Sequence, residues 1–237
     1  MTTLIAFANI YTEFPFSQLP KEIIPEKLAL IPQGNERVKQ RHRCRQLAHF
    51  LLWELCKTAK ISTALLGQIS RSPSGRPYFP KGNIDFNISH SGDWVAVVLN
   101  VGDKACIGLD IEHSKKPRNY TALLTHFAAP NEIHWFEQQI NREKAFYQIW
   151  CLREAVLKSQ GVGIVALSEV THSPQELQLQ SSHCPQGSLL FSDELPFYFA
   201  LFAAENALEE AEFFYWNGQL TPYELKSAVK YQVNLEK

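Results

Sequence analysis

The chain has 237 residues and a mass of 27.1 kDa, with 45% hydrophobic and 20% charged residues. This composition is typical of a packed globular protein and excludes disorder as the main state. Lys and Arg number 23 and Asp and Glu number 24, so the formal net charge is −1. Bulk charge therefore does not attract the chain to nucleic acid, and any anion site must be built locally.

Neither a membrane span nor a secretion signal is predicted. The best apolar run, residues 94–101, is far shorter than the roughly 20 residues that cross a bilayer. The apolar N-terminus carries no basic region and no cleavage site, and we interpret residues 3–11 as a strand. The five cysteines are scattered, with no C-x-x-C pair, so we expect neither disulfides nor a zinc site, and a reducing cytoplasm.

The first half of the chain predicts a strand, a long helix and then a meander of strands. A Pro-rich connection leads into residues 35–60, where apolar residues recur at helical spacing. Residues 84–89 alternate between apolar and polar, which is the strand period, and residues 94–99 are a near-continuous apolar run that predicts a buried strand. Residues 105–112 are predicted as the third strand of this group.

The second half begins after a polar stretch, residues 113–119, that we take as a boundary between residues 1–113 and 114–237. Helices are predicted over residues 131–139 and 142–160, the second ending at Gly161. Strands are predicted over 176–180, 188–191, 197–204 and 211–216. A closing helix is predicted over 221–230, with Thr221 as its cap, Pro222 first and Glu224 following. Each half is therefore expected to be α+β.

Two acidic residues stand on one face of the strand predicted over residues 105–112. Alternation sends Ile107, Leu109 and Ile111 to the core and leaves Asp110 and Glu112 together on the other face. Gly108, on that same face, is expected to let a ligand approach. Paired carboxylates repel unless a cation neutralises them, and Mg²⁺ is commonly held this way. The alternative is a solvent-exposed acidic edge.

The helix predicted over residues 142–160 carries a second candidate pair. Its buried stripe contains Ile149 and Leu152, while Glu154 and Lys158 lie one turn apart on a neighbouring face. They are either an ordinary surface pair or a third metal carboxylate beside a phosphate-binding lysine. Spacing alone does not decide between these readings.

Three further segments could bind phosphate. Ser89 and His90 end a strand, Arg76 lies at a rigid turn, and the helix predicted over residues 35–60 is basic at its start. Each also has an ordinary interpretation as a hairpin turn, a solvated arginine or a charged helix face. The basic residues of the helix are Arg37, Lys39, Arg41, Arg43 and Arg45.

In this order, these motifs resemble the 4′-phosphopantetheinyl transferases of the Sfp type. The resemblance covers residues 75–163 well and the flanks in element order only. The matching segments are Gly75-Arg76-Pro77, Asn87-Ile88-Ser89-His90-Ser91, Ile107-Gly108-Leu109-Asp110-Ile111-Glu112, Trp150-Cys151-Leu152-Arg153-Glu154-Ala155-Val156-Leu157-Lys158 and Gly161-Val162-Gly163. It implies an α+β fold of two similar, pseudo-duplicated subdomains, each a small antiparallel sheet packed with helices, with the active site at their interface.

The resemblance implies transfer of the 4′-phosphopantetheine group of coenzyme A to a serine of an apo acyl or peptidyl carrier protein, with release of adenosine 3′,5′-bisphosphate. Asp110, Glu112 and Glu154 would hold Mg²⁺ against the coenzyme's pyrophosphate. Lys158 would pair with that pyrophosphate, and Glu154 would take the serine proton, directly or through a water.

The resemblance also implies contacts to the rest of coenzyme A. Ser89 and His90 would meet phosphates at the adenosine end, with His90 at the 3′-phosphate. Arg76 and Pro77 would line the adenine side. An arginine of the first long helix would also contact the 3′-phosphate, and the apolar pattern selects Arg45 over its close competitor Arg43.

Two departures and two alternative functions stay open. Arg153 stands where many relatives have Lys, and Gly75-Arg76-Pro77 where many have Gly-Lys-Pro, and Arg and Lys bind phosphate with different geometry. The alternatives are another Mg²⁺-dependent pyrophosphate-cleaving enzyme and a non-catalytic module that binds coenzyme A or a carrier protein. We expect coenzyme A and a carrier protein as partners, no nucleic acid or membrane, and a monomer.

Overall fold

Helices pack on two main sheets in the computed structural model, which describes residues 2–80, 82–102, 106–204 and 207–235. The helices are Glu26–Ala29 (α1), Glu36–Thr58 (α2), Tyr120–Leu124 (α3), Pro130–Glu137 (α4) and Arg142–Gln160 (α5). The strands are Thr2–Asn9 (β1), Ser70–Arg71 (β2), Pro77–Tyr78 (β3), Ile84–Ser91 (β4), Trp94–Val101 (β5), Ile107–Glu112 (β6), Thr171–Ser173 (β7), Gln178–Gln180 (β8), Gly187–Ser192 (β9), Tyr198–Ala204 (β10), Ala211–Trp216 (β11), Leu220–Tyr223 (β12) and Val229–Val233 (β13). The predicted α+β class is confirmed.

The first sheet has five strands in the order β12-β11-β1-β5-β4, and α2 covers one of its faces. The side chain of Asn35 caps α2 by accepting a hydrogen bond from the amide of Val38. Leu47, Leu51 and Leu55 lie on the buried side of the helix and are fully buried. Each such leucine contributes about 1.5–3 kcal/mol relative to an exposed one. The predicted helix over residues 35–60 is confirmed.

The second sheet has six strands in the order β6-β10-β9-β13-β8-β7, and α5 packs on it. The bounds of α5 agree with the predicted helix over residues 142–160. It ends at Gly161, whose φ of 70° is the left-handed conformation that glycine adopts most readily. Ile149 and Leu152 of the predicted stripe are fully buried.

The two sheets pack face to face between the two long helices. Alternate residues of β1 divide between the layers: Leu4 and Ala6 join the α2 core, while Ile5 and Phe7 join the core between the sheets. The β6 residues Ile107, Leu109 and Ile111 belong to this same core. A site along β4 and β6 is therefore supported on both sides by buried layers.

The two sheets do not follow the predicted division at residue 113, because each contains strands from both sides of it. β11 and β12 pair within the first sheet, with β1 and β11 parallel, whereas β6 pairs with β10 in the second sheet. The division into two subdomains, residues 1–113 and 114–237, stays a prediction. Ala105, the predicted first residue of the third strand, lies outside the described residues.

The closing helix predicted over residues 221–230 is wrong. Residues Leu220–Tyr223 form β12 against β11, and Val229–Val233 form β13 between β9 and β8. Tyr231 and Val233 are fully buried, so the alternating side chains complete the core under α5. Pairing with distant strands outweighed the local helix-start signal of Thr221 and Pro222.

Candidate active site

Polar side chains of β4 cap the free edge of β6. Since β6 lies at the end of the second sheet, one row of its amides faces β4. The alternation predicted in residues 84–89 aims the polar β4 side chains at that row. The contacts are Ile107 N to Asp85 Oδ2 (3.0 Å), Leu109 N to Asn87 Oδ1 (3.3 Å), Ile111 N to Ser89 Oγ (3.1 Å) and His113 N to Ser91 Oγ (3.0 Å). This ladder fixes the register of β6 against β4.

Two acidic residues of β6 face an acidic and a basic residue of α5. Lys158 Nζ donates a hydrogen bond to Asp110 Oδ1 at 2.5 Å. Asp110 is 2% exposed and Glu154 is 8% exposed. Among the described residues, neither Asp110 Oδ2 nor Glu154 Oε1 has a hydrogen-bond partner, and both atoms are buried. Glu112 accepts a hydrogen bond from Ser91 Oγ at 2.8 Å.

The electrostatics of this group disfavour so much negative charge. Burial, followed by the Asp110 carboxylate, raises the pKa of Glu154 from 4.5 to about 7, although Lys158 opposes this rise. Burial and Asp110 also raise the pKa of Glu112. Burial is the largest single effect on Lys158 and lowers its pKa, but Asp110, Glu154 and Cys151 together outweigh it, and the pKa of the lysine is raised. A further positive charge would stabilise the three carboxylates.

The same carboxylates fit a hard divalent cation by their chemistry. Two buried oxygens without a donor, on Asp110 and Glu154, are available as ligands. Mg²⁺ binds one or two carboxylates and completes its shell with phosphate oxygens and water. In the ranges that the structure describes, no three His, Cys, Asp or Glu side chains already stand as a metal-binding group.

A cavity of about 1110 Å³ opens beside this group. It lies between α2, β4 and the end of α5. Its wall includes most of the residues predicted to contact the phosphates and the adenine, together with the α5 side chains of Glu154 and Lys158. These predicted residues are Arg45, Arg76, Pro77, His90, Glu154 and Lys158. The wall thus brings four of the predicted cationic or titratable nitrogen side chains to one cavity in a chain of nearly neutral net charge.

The structure separates the two competing arginines of α2. Arg45 is exposed and lines the cavity. Arg43 is held elsewhere, because its Nε donates to the carbonyl of Ile10 and its guanidinium lies 5.0 Å from the ring centre of Phe14. The geometry therefore favours Arg45 as the residue available to an anion.

Arg76 joins three elements at the cavity wall. Its Nη2 donates to both carboxylate oxygens of Asp85, at 2.8 and 2.7 Å, and its Nε donates to the carbonyl of Lys158 at 3.1 Å. A Cβ at Gly161 would lie 2.9 Å from Arg76 Cβ, so a glycine is needed for this approach. Arg76 therefore fixes the loop before β3 against β4 and α5.

His90 and Ser89 point to opposite sides of β4. His90 is exposed and lines the cavity, and desolvation, followed by the charges of Lys158 and Arg45, lowers its pKa. Ser89 is 4% exposed and is not part of the cavity wall. Its hydroxyl is turned to Asp110 and Lys158. The predicted contact of Ser89 with a phosphate stays untested.

Comparison with known proteins decides the family. A profile described as the 4′-phosphopantetheinyl transferase superfamily matches residues 106–215. A protein of Haemophilus influenzae, whose name gives it provisionally as a 4′-phosphopantetheinyl transferase, is 54% identical over 238 residues, covering 99% of this chain and 100% of that protein. The chain belongs to the 4′-phosphopantetheinyl transferase superfamily. It is thus a member of a family of transferases.

More distant members of the superfamily match part of the chain. The 4′-phosphopantetheinyl transferase AcpT of Escherichia coli K12 is 32% identical over 148 residues, covering 58% of this chain and 71% of that protein. The 4′-phosphopantetheinyl transferase psf-1 of Bacillus pumilus is 38% identical over 80 residues, a 33% share of each chain. Assignment to the Sfp type within the superfamily stays a prediction.

Gly108, in the acidic motif of this superfamily member, does not serve a ligand as predicted. A Cβ at this position would lie 1.9 Å from the carbonyl oxygen of Ala155 and 2.8 Å from the amide of Ser159. The backbone of α5 therefore occupies the space beside Gly108. The glycine lets β6 and α5 approach closely enough for Asp110 to meet Lys158.

Arg153, which stands where many relatives have Lys, points into the core. It is fully buried, and its Nη2 donates to Glu132 Oε2 at 2.5 Å. Its guanidinium also donates to the carbonyls of Leu167 and Val170, each at 3.1 Å, and Glu132 Oε1 contacts His172 Nδ1 at 2.9 Å. This ion pair is not predictable from local sequence patterns, because its two members are 21 residues apart along the chain.

Proposed function

We propose that the protein transfers the 4′-phosphopantetheine group of coenzyme A to a serine of an apo acyl or peptidyl carrier protein, with Mg²⁺, and releases adenosine 3′,5′-bisphosphate. The observation that carries this proposal is the position of Glu154. Its carboxyl, with a pKa of about 7, lies with Lys158 on the wall of the cavity that Arg45 and His90 also line. A proton acceptor and phosphate-binding cations thus share one cavity.

Coenzyme A suits the cavity by charge and size. Pockets for small ligands occupy about 300–1,000 Å³, and this cavity of about 1110 Å³ has room for a ligand at the upper end of that range. Arg45 and His90 would bind the 3′-phosphate, Arg76 and Pro77 would line the adenine, and Lys158 would pair with the pyrophosphate. Charge-assisted hydrogen bonds of this kind are the strong ones.

Glu154 is suited to take the proton of the attacking serine. In the metal-free protein its pKa of about 7 lies near the working pH, where a base combines availability with driving force. As the serine oxygen bonds to the β-phosphorus, the bond from that phosphorus to the bridging oxygen breaks. The serine proton passes to the Glu154 carboxylate, directly or through a water, and the electron pair leaves on adenosine 3′,5′-bisphosphate. Lys158 would neutralise charge on the phosphates as that bond breaks.

Mg²⁺ would be held by Asp110, Glu112 and Glu154 and would supply positive charge for the developing oxyanion. The two buried, unpartnered oxygens and the raised pKa of Glu154 support this assignment. Lys158 leaves one oxygen of Asp110 free for the cation, because its hydrogen bond goes to Oδ1.

The setting of the reaction is part of the same proposal. All five cysteines are unpaired thiols, which agrees with a reducing cytoplasm. No helix of the described residues has both the length and the apolar character needed to cross a membrane. We expect a monomer, with coenzyme A and a carrier protein as its partners.

The proposal is tested by quantifying adenosine 3′,5′-bisphosphate by chromatography, with and without an apo carrier protein. We expect the product only when the protein, coenzyme A, Mg²⁺ and the carrier are all present. Release without a carrier would identify a pyrophosphate-cleaving enzyme instead. Coenzyme A binding without any release, on several carrier types, would identify a non-catalytic binding module.

A further inference from the structure

We propose that Ser89 and Ser91 are positioning residues that orient Asp110 and Glu112 for a divalent cation, and that the Ser89 hydroxyl does not bind a phosphate of the donor. This inference rests on the proposed function for the identity of the cation and donor. It reassigns the serines of the Asn87-to-Ser91 motif from the cavity to the neighbouring strand.

The hydroxyl of Ser89 has no hydrogen-bonding capacity left. A serine hydroxyl donates once and accepts twice. Ser89 Oγ accepts from Ile111 N and from Lys158 Nζ, each at 3.1 Å, and donates to Asp110 Oδ1 at 3.1 Å. A deprotonated phosphate oxygen only accepts hydrogen bonds. It could therefore bind this hydroxyl only if the hydroxyl stopped donating to Asp110 Oδ1.

Ser91 repeats the arrangement two residues along β4. Its Oγ accepts from His113 N at 3.0 Å and donates to Glu112 Oε2 at 2.8 Å. Each serine therefore accepts from one β6-side amide and donates to the carboxylate one residue before that amide. The two serines and the two carboxylates are each two residues apart along their strands. A single alignment of β4 with β6 therefore places both serine–carboxylate pairs in hydrogen-bond contact.

These bonds determine which carboxylate oxygen remains available. Ser89 and Lys158 both occupy Asp110 Oδ1, and Oδ2 stays buried and without a partner among the described residues. Groups that fix the orientation of a metal-binding carboxylate commonly change metal affinity 10- to 100-fold when they are removed, as an order of magnitude. Ser89 and Ser91 occupy that position here.

The test compares Ser89→Ala and Ser91→Ala with Ser192→Ala as a matched control. Ser192 is a buried serine on β9 that likewise accepts from an amide, Glu194 N at 3.2 Å, but donates to a backbone carbonyl, Ser227 O at 2.7 Å, instead of a carboxylate. Three quantities are measured on the full chain: Mn²⁺ affinity by electron paramagnetic resonance, coenzyme A affinity in EDTA by calorimetry, and thermal stability.

We expect each of the two site variants to lose Mn²⁺ affinity by about 10-fold and to keep the coenzyme A affinity of the wild type in EDTA. Lys158 retains its ion pair with Asp110 in both variants. Ser192→Ala should lose stability with no change in Mn²⁺ affinity. Ser91→Thr keeps the hydroxyl and should therefore have the Mn²⁺ affinity of the wild type. If Ser89→Ala fails to fold, Ser91→Ala at its half-buried position carries the Mn²⁺ measurement, and Ser89→Cys replaces Ser89→Ala in the coenzyme A measurement.

A fall in coenzyme A affinity for Ser89→Ala in EDTA would show that the hydroxyl contacts the donor and would overturn the inference. Unchanged Mn²⁺ affinity in both variants would overturn it as well. Failure of the proposed function is recognised separately, as absence of transfer by a wild-type protein that binds Mn²⁺.

Discussion

Replacing Glu154 with Gln should stabilise the metal-free protein at high pH while it abolishes transfer. A carboxyl whose pKa is higher in the folded than in the unfolded state binds its proton more tightly when folded, so stability falls as pH rises between the two values. Burial and the neighbouring Asp110 raise the pKa of Glu154 from 4.5 to about 7. At 1.36 kcal/mol per pKa unit, the folded state loses about 3 kcal/mol across this window.

The assay is urea unfolding of both proteins in EDTA at about pH 4 and about pH 8, which bracket the window. The stability of Glu154→Gln relative to the wild type should rise by about 3 kcal/mol between the two pH values. Glu143→Gln is the control on the same helix, because hydrogen bonds, first from Tyr120, lower the pKa of Glu143. It should show the opposite trend with pH. A relative stability of Glu154→Gln that does not change with pH would show that folding does not raise the pKa of Glu154.

Three further substitutions test separate parts of the structure. Arg45→Ala should raise the KM for coenzyme A by about 10-fold or more, as for loss of a charged hydrogen bond. Arg43→Ala should leave that KM unchanged in steady-state kinetics. A KM raised by Arg43→Ala and not by Arg45→Ala would contradict the assignment. Gly108→Ala should prevent folding, because its Cβ would lie 1.9 Å from the carbonyl of Ala155; a soluble, cooperatively unfolding variant would disprove this packing. Arg153→Ala should cost about 3–5 kcal/mol, because it leaves the buried Glu132 without its arginine partner. A loss below about 1 kcal/mol in denaturant unfolding, as for an exposed pair, would argue against a buried ion pair.

Sequence patterns predicted those elements that are determined by their own residues. The bounds of α5 were predictable because a run of helix formers ends at Gly161, which adopts the left-handed conformation there. The alternation in residues 84–89 predicted β4 and the face that carries its polar side chains. β12 and β13 were not predictable in this way, because their identity depends on pairing with β11, β9 and β8.

The site divides along the same line. Glu154 and Lys158 were predictable as a pair because one helical turn separates them, and the structure places both on the cavity wall. The roles of Arg153 and Ser89 depend on partners that only the tertiary fold supplies. Glu132 lies 21 residues from Arg153, and Asp110 lies 21 residues from Ser89. The charge and size of these residues gave no indication of those partners.

Intact-protein mass spectrometry of an apo carrier protein tests the central claim most directly. The carrier is incubated with this protein, coenzyme A and Mg²⁺, alongside an EDTA control and the Glu154→Gln variant. We expect a mass gain of one phosphopantetheine group, on one serine, in the complete reaction only. An unmodified carrier of every type tried, in reactions where coenzyme A is bound, would contradict it.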